Sequence, residues 1–374
     1  MQKFLQLKSK TLLQITALVV AGVFVVYMVA FAPLFSVKYN SAAAEVFVPA
    51  TTTVATAIAT PVPVVAPLDR DDYDRRMWVM ANNGTSTQSV ASSTSTTTKK
   101  FLWPVKNAPY PLPGAILPYH RIIAYYGNFY STKMGVLGEY PRDIMFSKLA
   151  NEVAKWTAAD PGTPAIPAID YIAVTAQGSP GADGKYRFRM PDSQLDHAIE
   201  LADMVHGIVI LDVQVGLSNL QSELPALEKY LKMPQVHLAI DPEFSIKTKD
   251  KPGDVIGTFS SADVNYAVNY LAKLVKDNNL PPKVLVVHRF TQGMVTGYKN
   301  ITPLPEVQVL MDMDGWGTPA KKLGTYQRFV QGEPVQFTGF KLFYKNDLKK
   351  PSTRILTPEE LLKLKPRPLF IQFQ

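Results

Sequence analysis

The chain has 374 residues, of which 47% are apolar, and it carries a formal net charge of +8 with no cysteine. This length accommodates one large domain with appendages or two domains, and the missing cysteine excludes disulfides, thiolate catalysis, cysteine-ligated zinc and a lipidated N-terminal cysteine. Residues 118–374 hold 29 Lys and Arg against 26 Asp and Glu, and no basic stripe with interleaved aromatics appears, which argues against nucleic acid as a partner.

The N-terminal segment has the pattern of a membrane anchor. Three lysines within residues 1–10 precede an uncharged, mostly apolar run over residues 11–35, which is long enough to cross a bilayer as a helix of about 20 residues. The positive-inside rule places residues 1–10 in the cytoplasm. We therefore predict a single-pass transmembrane signal anchor at the cell membrane, with the C-terminal domain extracytoplasmic. The alternative is a signal peptide cut near Ala44, which would make the protein secreted.

Residues 36–117 are predicted as a low-complexity linker rich in Thr, Ser, Pro and Ala. This composition holds too little apolar bulk to offset the entropy cost of ordering, so we interpret the linker as a stalk between membrane and domain. Residues 69–78 interrupt it with a charged run, which is either a short docking helix or a solvated charge run. Residues 101–118 are rich in Pro and aromatic residues and are interpreted as an extended lead-in packed on the domain surface.

From Arg121 onward, apolar strand patterns alternate with helical patterns. Seven helices are predicted between the strands, with start signals at Ser261, at Thr318 before Pro319, and in a capping box that opens at Thr357. The helix after the fifth strand is expected to be short and irregular. The eight predicted strands span residues 122–126, 169–175, 207–214, 236–244, 283–289, 307–314, 340–344 and 369–373.

Eight strands and seven helices over residues 118–374 match an α/β fold of the (β/α)8 TIM-barrel type, with the eighth helix missing. A doubly wound open sheet is the alternative. The first strand is not followed by a Gly-rich turn and the strands are of similar length, which favours the barrel.

Polar residues end several of these strands, and in a barrel the site lies at the carboxyl ends of the strands. The opposite strand ends carry few carboxylates, so surface charge does not explain the pattern. Each residue also has a structural interpretation: an acid can cap the following loop, a histidine can be a satisfied barrel residue, and Trp316 can be core. Arg289 alternates to the other side of its strand and is expected to pair with an acid outside the pocket. The candidates are Tyr126, Asn128, Asp212, Gln214, Asp241, Glu243, His288, Asp312, Asp314, Trp316, Tyr344 and Gln372.

Three segments carry a resemblance to a known family. Residues 121–130 resemble the first strand of the family 18 glycoside hydrolases, the chitinase-like barrels. The sequence IDPE at residues 240–243 is similar to the strand-four Asp-x-Glu ending of that family, and residues 310–315 are similar to its Met-x-Tyr-Asp on strand six. The resemblance implies Glu243 as general acid and Asp241 as the residue that orients a substrate acetamido group. The domain also resembles exported bacterial TIM-barrel proteins of unassigned activity.

The first hypothesis is a membrane-tethered glycoside hydrolase acting on a polysaccharide by carboxylate acid/base catalysis. Glu243 would be the general acid, Asp312 or Asp314 the nucleophile or base, and Asp241 would orient the substrate. No cofactor or metal is required. The remaining candidates are predicted to bind the substrate, and sugar rings are expected to stack on Tyr126, Trp316 and Tyr344.

Two other function classes remain open. A metal-dependent hydrolase would use Asp212, Asp241, Glu243, His288 and Asp312 as ligands of a hard divalent ion. A non-catalytic barrel that binds cell-wall glycan would keep the aromatic residues and tolerate loss of the acids. The first and third hypotheses share carbohydrate as the partner.

Overall fold

The computed structural model describes residues 66–82 and 108–374. The predicted cytoplasmic segment at residues 1–10, the predicted anchor at residues 11–35 and much of the predicted linker lie outside the described residues. Within the described ranges, no helix has the length and apolar character needed to cross a bilayer.

Eleven strands are described, and eight of them form a closed parallel barrel. The barrel order is β1, β2, β4, β5, β7, β9, β10 and β11, with β11 pairing back onto β1 through Ile122 and Phe370. This closure confirms the TIM-type barrel and excludes the open sheet. The strands are β1 (Arg121–Gly127), β2 (Ala165–Ala176), β3 (Arg187–Arg189), β4 (Ile208–Val213), β5 (Val236–Ile240), β6 (Phe259–Ser260), β7 (Lys283–Arg289), β8 (Val295–Thr296), β9 (Val307–Met313), β10 (Phe337–Leu342) and β11 (Phe370–Phe373).

Helices surround the barrel, and three of their start signals are visible in the sequence. The N-caps are Ser260, one residue before the predicted Ser261, then Thr318 and Thr357 as predicted. The expected irregular helix after β7 is a loop with a single 3-10 turn, Tyr298–Asn300. The α-helices of the described residues are α1 (Arg70–Ala81), α2 (Val136–Glu139), α3 (Arg142–Ala159), α4 (Asp192–Met204), α5 (Leu220–Glu223), α6 (Glu228–Leu231), α7 (Ser261–Asn278), α8 (Pro319–Thr325) and α9 (Pro358–Leu361).

Alternation along each strand divides the core into two layers. Outward side chains pack against the helices in one large apolar cluster. Inward side chains fill the N-terminal half of the barrel with a second cluster, which leaves the C-terminal half for polar residues. The inward cluster includes Ile122, Ala124, Ala168, Ile210, Ala239, Val284, Val286, Leu310, Phe337 and Phe370.

Helix α1 closes the N-terminal end of the barrel. It starts at Asp69, whose carboxylate accepts a hydrogen bond from the Asp72 amide at 3.0 Å. Its buried side chains, which include Met77 and Met80, belong to the inward cluster, and the Arg367 amide donates to the Met80 carbonyl at 3.0 Å. The docking-helix interpretation of the charged run is confirmed, and the solvated charge run is wrong.

The lead-in at residues 108–120 is also packed on the barrel. The Gln308 side chain, which points into the barrel from β9, accepts hydrogen bonds from the Ile116 and Leu117 amides at 3.1 Å each. It also donates to the Leu117 carbonyl at 2.6 Å. Ordered packing therefore begins N-terminal to residue 118.

Candidate active site

Every barrel strand sends a polar side chain inward, either near its middle, in its C-terminal half or just beyond its end. All of these side chains are buried, and they form a ring above the inward apolar cluster, here called the polar belt. Strand register places His288 beside Asp312 and Lys341 beside Gln372. The polar belt consists of Tyr126, Asp170, Asp212, Asp241, His288, Asp312, Lys341 and Gln372.

His288 is the centre of the polar belt. Its Nε2 lies 3.5 Å from an Asp212 oxygen, and its Nδ1 lies 3.3 Å from oxygens of both Asp312 and Asp314. These are charge contacts, because neither ring nitrogen has a partner at hydrogen-bond geometry. Burial alone would lower the pKa of His288, but the three carboxylates together raise it well above its ordinary value. This shift favours the charged imidazolium over a neutral core histidine.

Lys341 is the second cation of the site, and the sequence interpretation missed it. Its Nζ lies 3.1 Å from an Asp314 oxygen and 3.9 Å from the centre of the Tyr126 ring. Burial opposes its charge, but Asp314, Asp241 and Asp312 outweigh burial and raise the pKa of Lys341. In the sequence, Lys341 stands between Phe340 and Leu342 at the inward position of an apolar strand, and this pattern could have identified it as a site residue.

Asp170 is a further belt residue that was not predicted. The Gln372 side chain donates to its Oδ2 at 2.5 Å. Burial first, and then the nearby Asp212, raise the pKa of Asp170 to about 8. Asp170 therefore carries a proton at neutral pH. In the sequence, Asp170 is on the same strand face as Ala168 and is the second residue of the predicted strand 169–175, far from its carboxyl end.

Asp312 is sealed inside the barrel wall. It is fully buried, and its carboxylate occupies the space where a side chain at Gly339 of the neighbouring strand would start, since a Cβ there would lie 2.5 Å from Oδ1. Burial raises the pKa of Asp312, although His288 opposes the shift. Because Asp312 does not line the mouth of the barrel, it supports His288 rather than meeting a ligand.

A cavity of about 420 Å³ opens above the polar belt at the mouth of the barrel. Acids, cations and aromatic rings converge on it. Six of the twelve sequence candidates line it, together with Lys341 and Phe343, which were not predicted. The candidates that line it are Tyr126, Gln214, Asp241, Glu243, Asp314 and Trp316.

The loop after β5 positions Glu243 in this cavity. Asp241 begins a one-turn 3-10 helix, Pro242–Phe244, and its Oδ1 accepts the Glu243 amide hydrogen at 3.0 Å. The loop-cap interpretation of Asp241 is therefore correct, and the cap fixes the backbone of Glu243. Burial, then the charge of Asp314, raise the pKa of Glu243 to about 7, while Lys341 and His288 oppose the shift. Burial also raises the pKa of Asp241 well above its usual range.

Gln214 and Trp316 line the cavity at different depths, Gln214 beside Tyr126 and Trp316 at the rim. Gln214 donates to the Tyr126 hydroxyl at 3.0 Å and accepts from the Ala176 amide at 3.1 Å, so it fixes the tyrosine. Trp316 is 47% exposed at the rim, with the ammonium groups of Lys321 and Lys349 at 5.2 and 5.0 Å from its ring. The indole is therefore a surface for stacking and not part of the core.

Two sequence candidates belong neither to the cavity nor to the polar belt. Asn128 accepts hydrogen bonds from the Tyr130 and Ser131 amides at 3.1 and 3.0 Å, which makes it the organiser of a turn. Tyr344 packs on the outer face of the barrel, with its hydroxyl 3.0 Å from that of Tyr125 and its ring stacked on Phe373. The sequence interpretation of Tyr344 fails because β10 ends at Leu342, so Phe343 lines the cavity instead.

Arg289 points out of the barrel and pairs with Glu333, as predicted. In the part of the chain that the structure describes, no three His, Asp or Glu side chains converge in an arrangement that could hold a metal ion. The acids of the belt instead surround His288 and Lys341.

The described residues thus define a TIM-type barrel with a cation-centred acidic belt beneath an aromatic-lined mouth. The sequence matches no protein-family model, and no curated protein is similar to it at a significant level.

Proposed function

We propose that this barrel is a glycoside hydrolase-like enzyme that cleaves a polysaccharide by carboxylate acid/base catalysis. The observation that carries the proposal is Glu243, a partly buried carboxyl in the mouth cavity whose pKa is raised to about 7. A second carboxylate, Asp314, lines the same cavity and contacts two cations, Lys341 and His288. Neighbouring carboxyls in contrasting environments are the arrangement that divides acid from base in such enzymes.

Glu243 would protonate the glycosidic oxygen, because a carboxyl with a pKa near 7 still holds a proton at neutral pH. Asp314 would act as the nucleophile or as the base that activates water. It is preferred over Asp312, which is sealed against Gly339. Asp241 would orient the substrate and hold the Glu243 backbone. Product stereochemistry reports which role Asp314 takes, since a nucleophile gives retention of configuration and a base that activates water gives inversion.

The aromatic residues support a sugar ligand. Tyr126, Phe244, Phe290, Trp316 and Phe343 all line the mouth cavity, and sugar rings present apolar faces that pack on aromatic surfaces. The cavity of about 420 Å³ lies in the usual range for a site that holds a few rings or one small molecule.

The similarity of the IDPE segment to the family 18 strand ending supports the same assignment of Glu243. In that family the glutamate two residues after an aspartate is the general acid. The extracytoplasmic location is part of the proposal and depends on the predicted anchor at residues 11–35. Protease added to intact cells should digest the barrel domain if this orientation is correct.

The test is release of reducing ends from a panel of polysaccharides, including chitin and peptidoglycan, by the full-length chain and by Glu243→Gln. General acid catalysis is worth about 10²- to 10⁴-fold, so the variant should lose at least about 100-fold on the polysaccharide that the wild type cleaves. Glu200→Gln is the control, because Glu200 is exposed on α4, and it should retain full activity. Undiminished turnover by Glu243→Gln would contradict the proposal. Binding of the wild type to a glycan with no turnover would favour the non-catalytic alternative.

A further inference from the structure

A second cavity, of about 480 Å³, lies at the opposite end of the barrel from the polar belt. It lies between α1 and the N-terminal ends of the barrel strands and is open to solvent on one side. Four arginines and one acid line it: Arg75 and Arg76 from α1, Arg121 at the start of β1, Arg367 just before β11, and Asp160 after α3. We call it the arginine cavity. The proposed glycoside hydrolase activity makes no use of it.

Arg121 is the most deeply buried of the four arginines that line the arginine cavity. Its side chain is fully buried. Its Nε donates to the Pro368 carbonyl at 3.1 Å and its Nη2 to Asp160 at 2.9 Å, but its Nη1 is buried without a partner. A buried guanidinium with an unused donor is unfavourable unless something else accepts from it.

Arg367 repeats this feature beside Arg121. Its Nε is also buried without a hydrogen-bond partner, and its Nη1 is 3.9 Å from the same Asp160 oxygen that Arg121 uses. Two guanidinium groups therefore share one carboxylate oxygen and retain free donors.

Positive charge is in excess around the arginine cavity. Asp160 is shared by Arg121 and Arg367, and Asp72 is shared by Arg75 and Arg76. Four arginines against these two acids leave a formal excess of two positive charges. Nearby, burial and then the charge of Arg367 lower the pKa of Lys365 to about 8. The cavity thus has the charge to hold a dianion.

We propose that the arginine cavity binds a phosphoryl group, either inorganic phosphate or the phosphate monoester of a small molecule. Guanidinium groups recognise phosphate through paired N–H donors, and four guanidinium side chains line this cavity. A monoester dianion balances the two excess charges. The cavity is larger than a phosphate ion, so it leaves room for the group that carries the phosphoryl.

The site also has a structural consequence. Two of its arginines are on α1 and two belong to the barrel, so a bound phosphoryl group ties the helix to the barrel. Occupancy should therefore slow backbone amide exchange in α1.

The experiment is calorimetric titration of the full-length chain with inorganic phosphate and, separately, with glucose 1-phosphate at constant ionic strength in chloride. We expect saturable binding of at least one of the two, which also distinguishes free phosphate from a phosphorylated small molecule. Arg367→Gln should weaken the affinity by at least about tenfold, since a charged hydrogen bond is lost. Arg70→Gln is the control, because Arg70 is on the same helix but does not line the cavity, and it should bind as the wild type does.

Two results would overturn the proposal: no binding of either compound above the chloride background, or equal affinity in Arg367→Gln and the wild type. Equal binding of acetate would overturn the phosphoryl assignment. Arg367 is partly exposed, so its replacement should leave folding intact, whereas Arg121→Gln is expected to destabilise the barrel. Slower exchange of α1 amides in the presence of phosphate provides the second measurement.

Discussion

Replacing Gly339 by alanine adds a methyl group at the wall of the polar belt. The new Cβ would lie 2.5 Å from Asp312 Oδ1 and 2.9 Å from both Leu310 Cδ2 and Phe370 Cδ1. None of these neighbours has free space, because all three are fully buried. Asp312 must therefore move, and its 3.3 Å contact with His288 must change.

The expected cost follows from this overpacking. Extra methyl groups in packed cores destabilise by about 1–3 kcal/mol, and we expect the upper end because a buried carboxylate must shift away from its imidazolium. For a domain of this size, 1 kcal/mol lowers Tm by about 2–4 °C, so a cost of about 3 kcal/mol corresponds to about 6–12 °C.

The assay is thermal unfolding of the wild type, Gly339→Ala and a matched control, Gly324→Ala. Gly324 is in α8, and a Cβ there meets nothing within 4 Å, so alanine should be neutral or stabilise by up to about 1 kcal/mol. The double variant Gly339→Ala/Asp312→Ala should lose less free energy of unfolding than the two single variants lose together, because the oxygen that clashes with the new Cβ is gone. A wild-type Tm for Gly339→Ala would refute the described packing of Asp312 against β10.

Three further predictions concern helix α1, the polar belt and the rim of the mouth cavity. Met77→Ala should lower the free energy of unfolding in urea by about 2–5 kcal/mol, since Met77 is buried under the barrel, whereas exposed Arg70→Gln should change it little. Asp170 has a folded pKa of about 8 against an unfolded value near 4, so its contribution to stability is complete below pH about 4 and is lost as pH rises through about 8. Asp170→Asn should remove this decline and should be relatively more stable at pH 8 than at pH 5 in urea titrations; an unchanged slope would contradict the assignment. Trp316→Ala should leave Tm within about 1 °C, because the ring is exposed, but should raise KM for the cleaved glycan more than it lowers kcat.

The barrel was predictable because its signals are local. Each strand is a short apolar run bounded by polar residues, and all eight predicted runs are strands in the structure. Helix α1 was less predictable, since half of its twelve residues are charged and its buried side chains, Met77 and Met80 among them, are few. No local sequence pattern indicates that such a polar helix packs against the barrel.

The candidate site was predictable where acids end a strand and not where they lie within one. Asp241, Glu243 and Asp314 follow apolar strand bodies, so their position alone indicates the mouth. Asp170 and Lys341 are inside strands, and only the closure of the barrel and its register bring them to the same ring. Depth in the barrel is likewise a three-dimensional property, which is why sequence spacing did not separate sealed Asp312 from accessible Asp314.

If Glu243 is the general acid, the pH dependence of kcat/KM follows from its pKa. The rate of reducing-end release should be measured as kcat/KM from pH 5 to pH 9 on whichever polysaccharide the wild type cleaves. Because Glu243 must be protonated and its pKa is about 7, kcat/KM should fall tenfold per pH unit above about pH 7. A profile that stays level or rises between pH 7 and pH 9 would contradict the proposed mechanism.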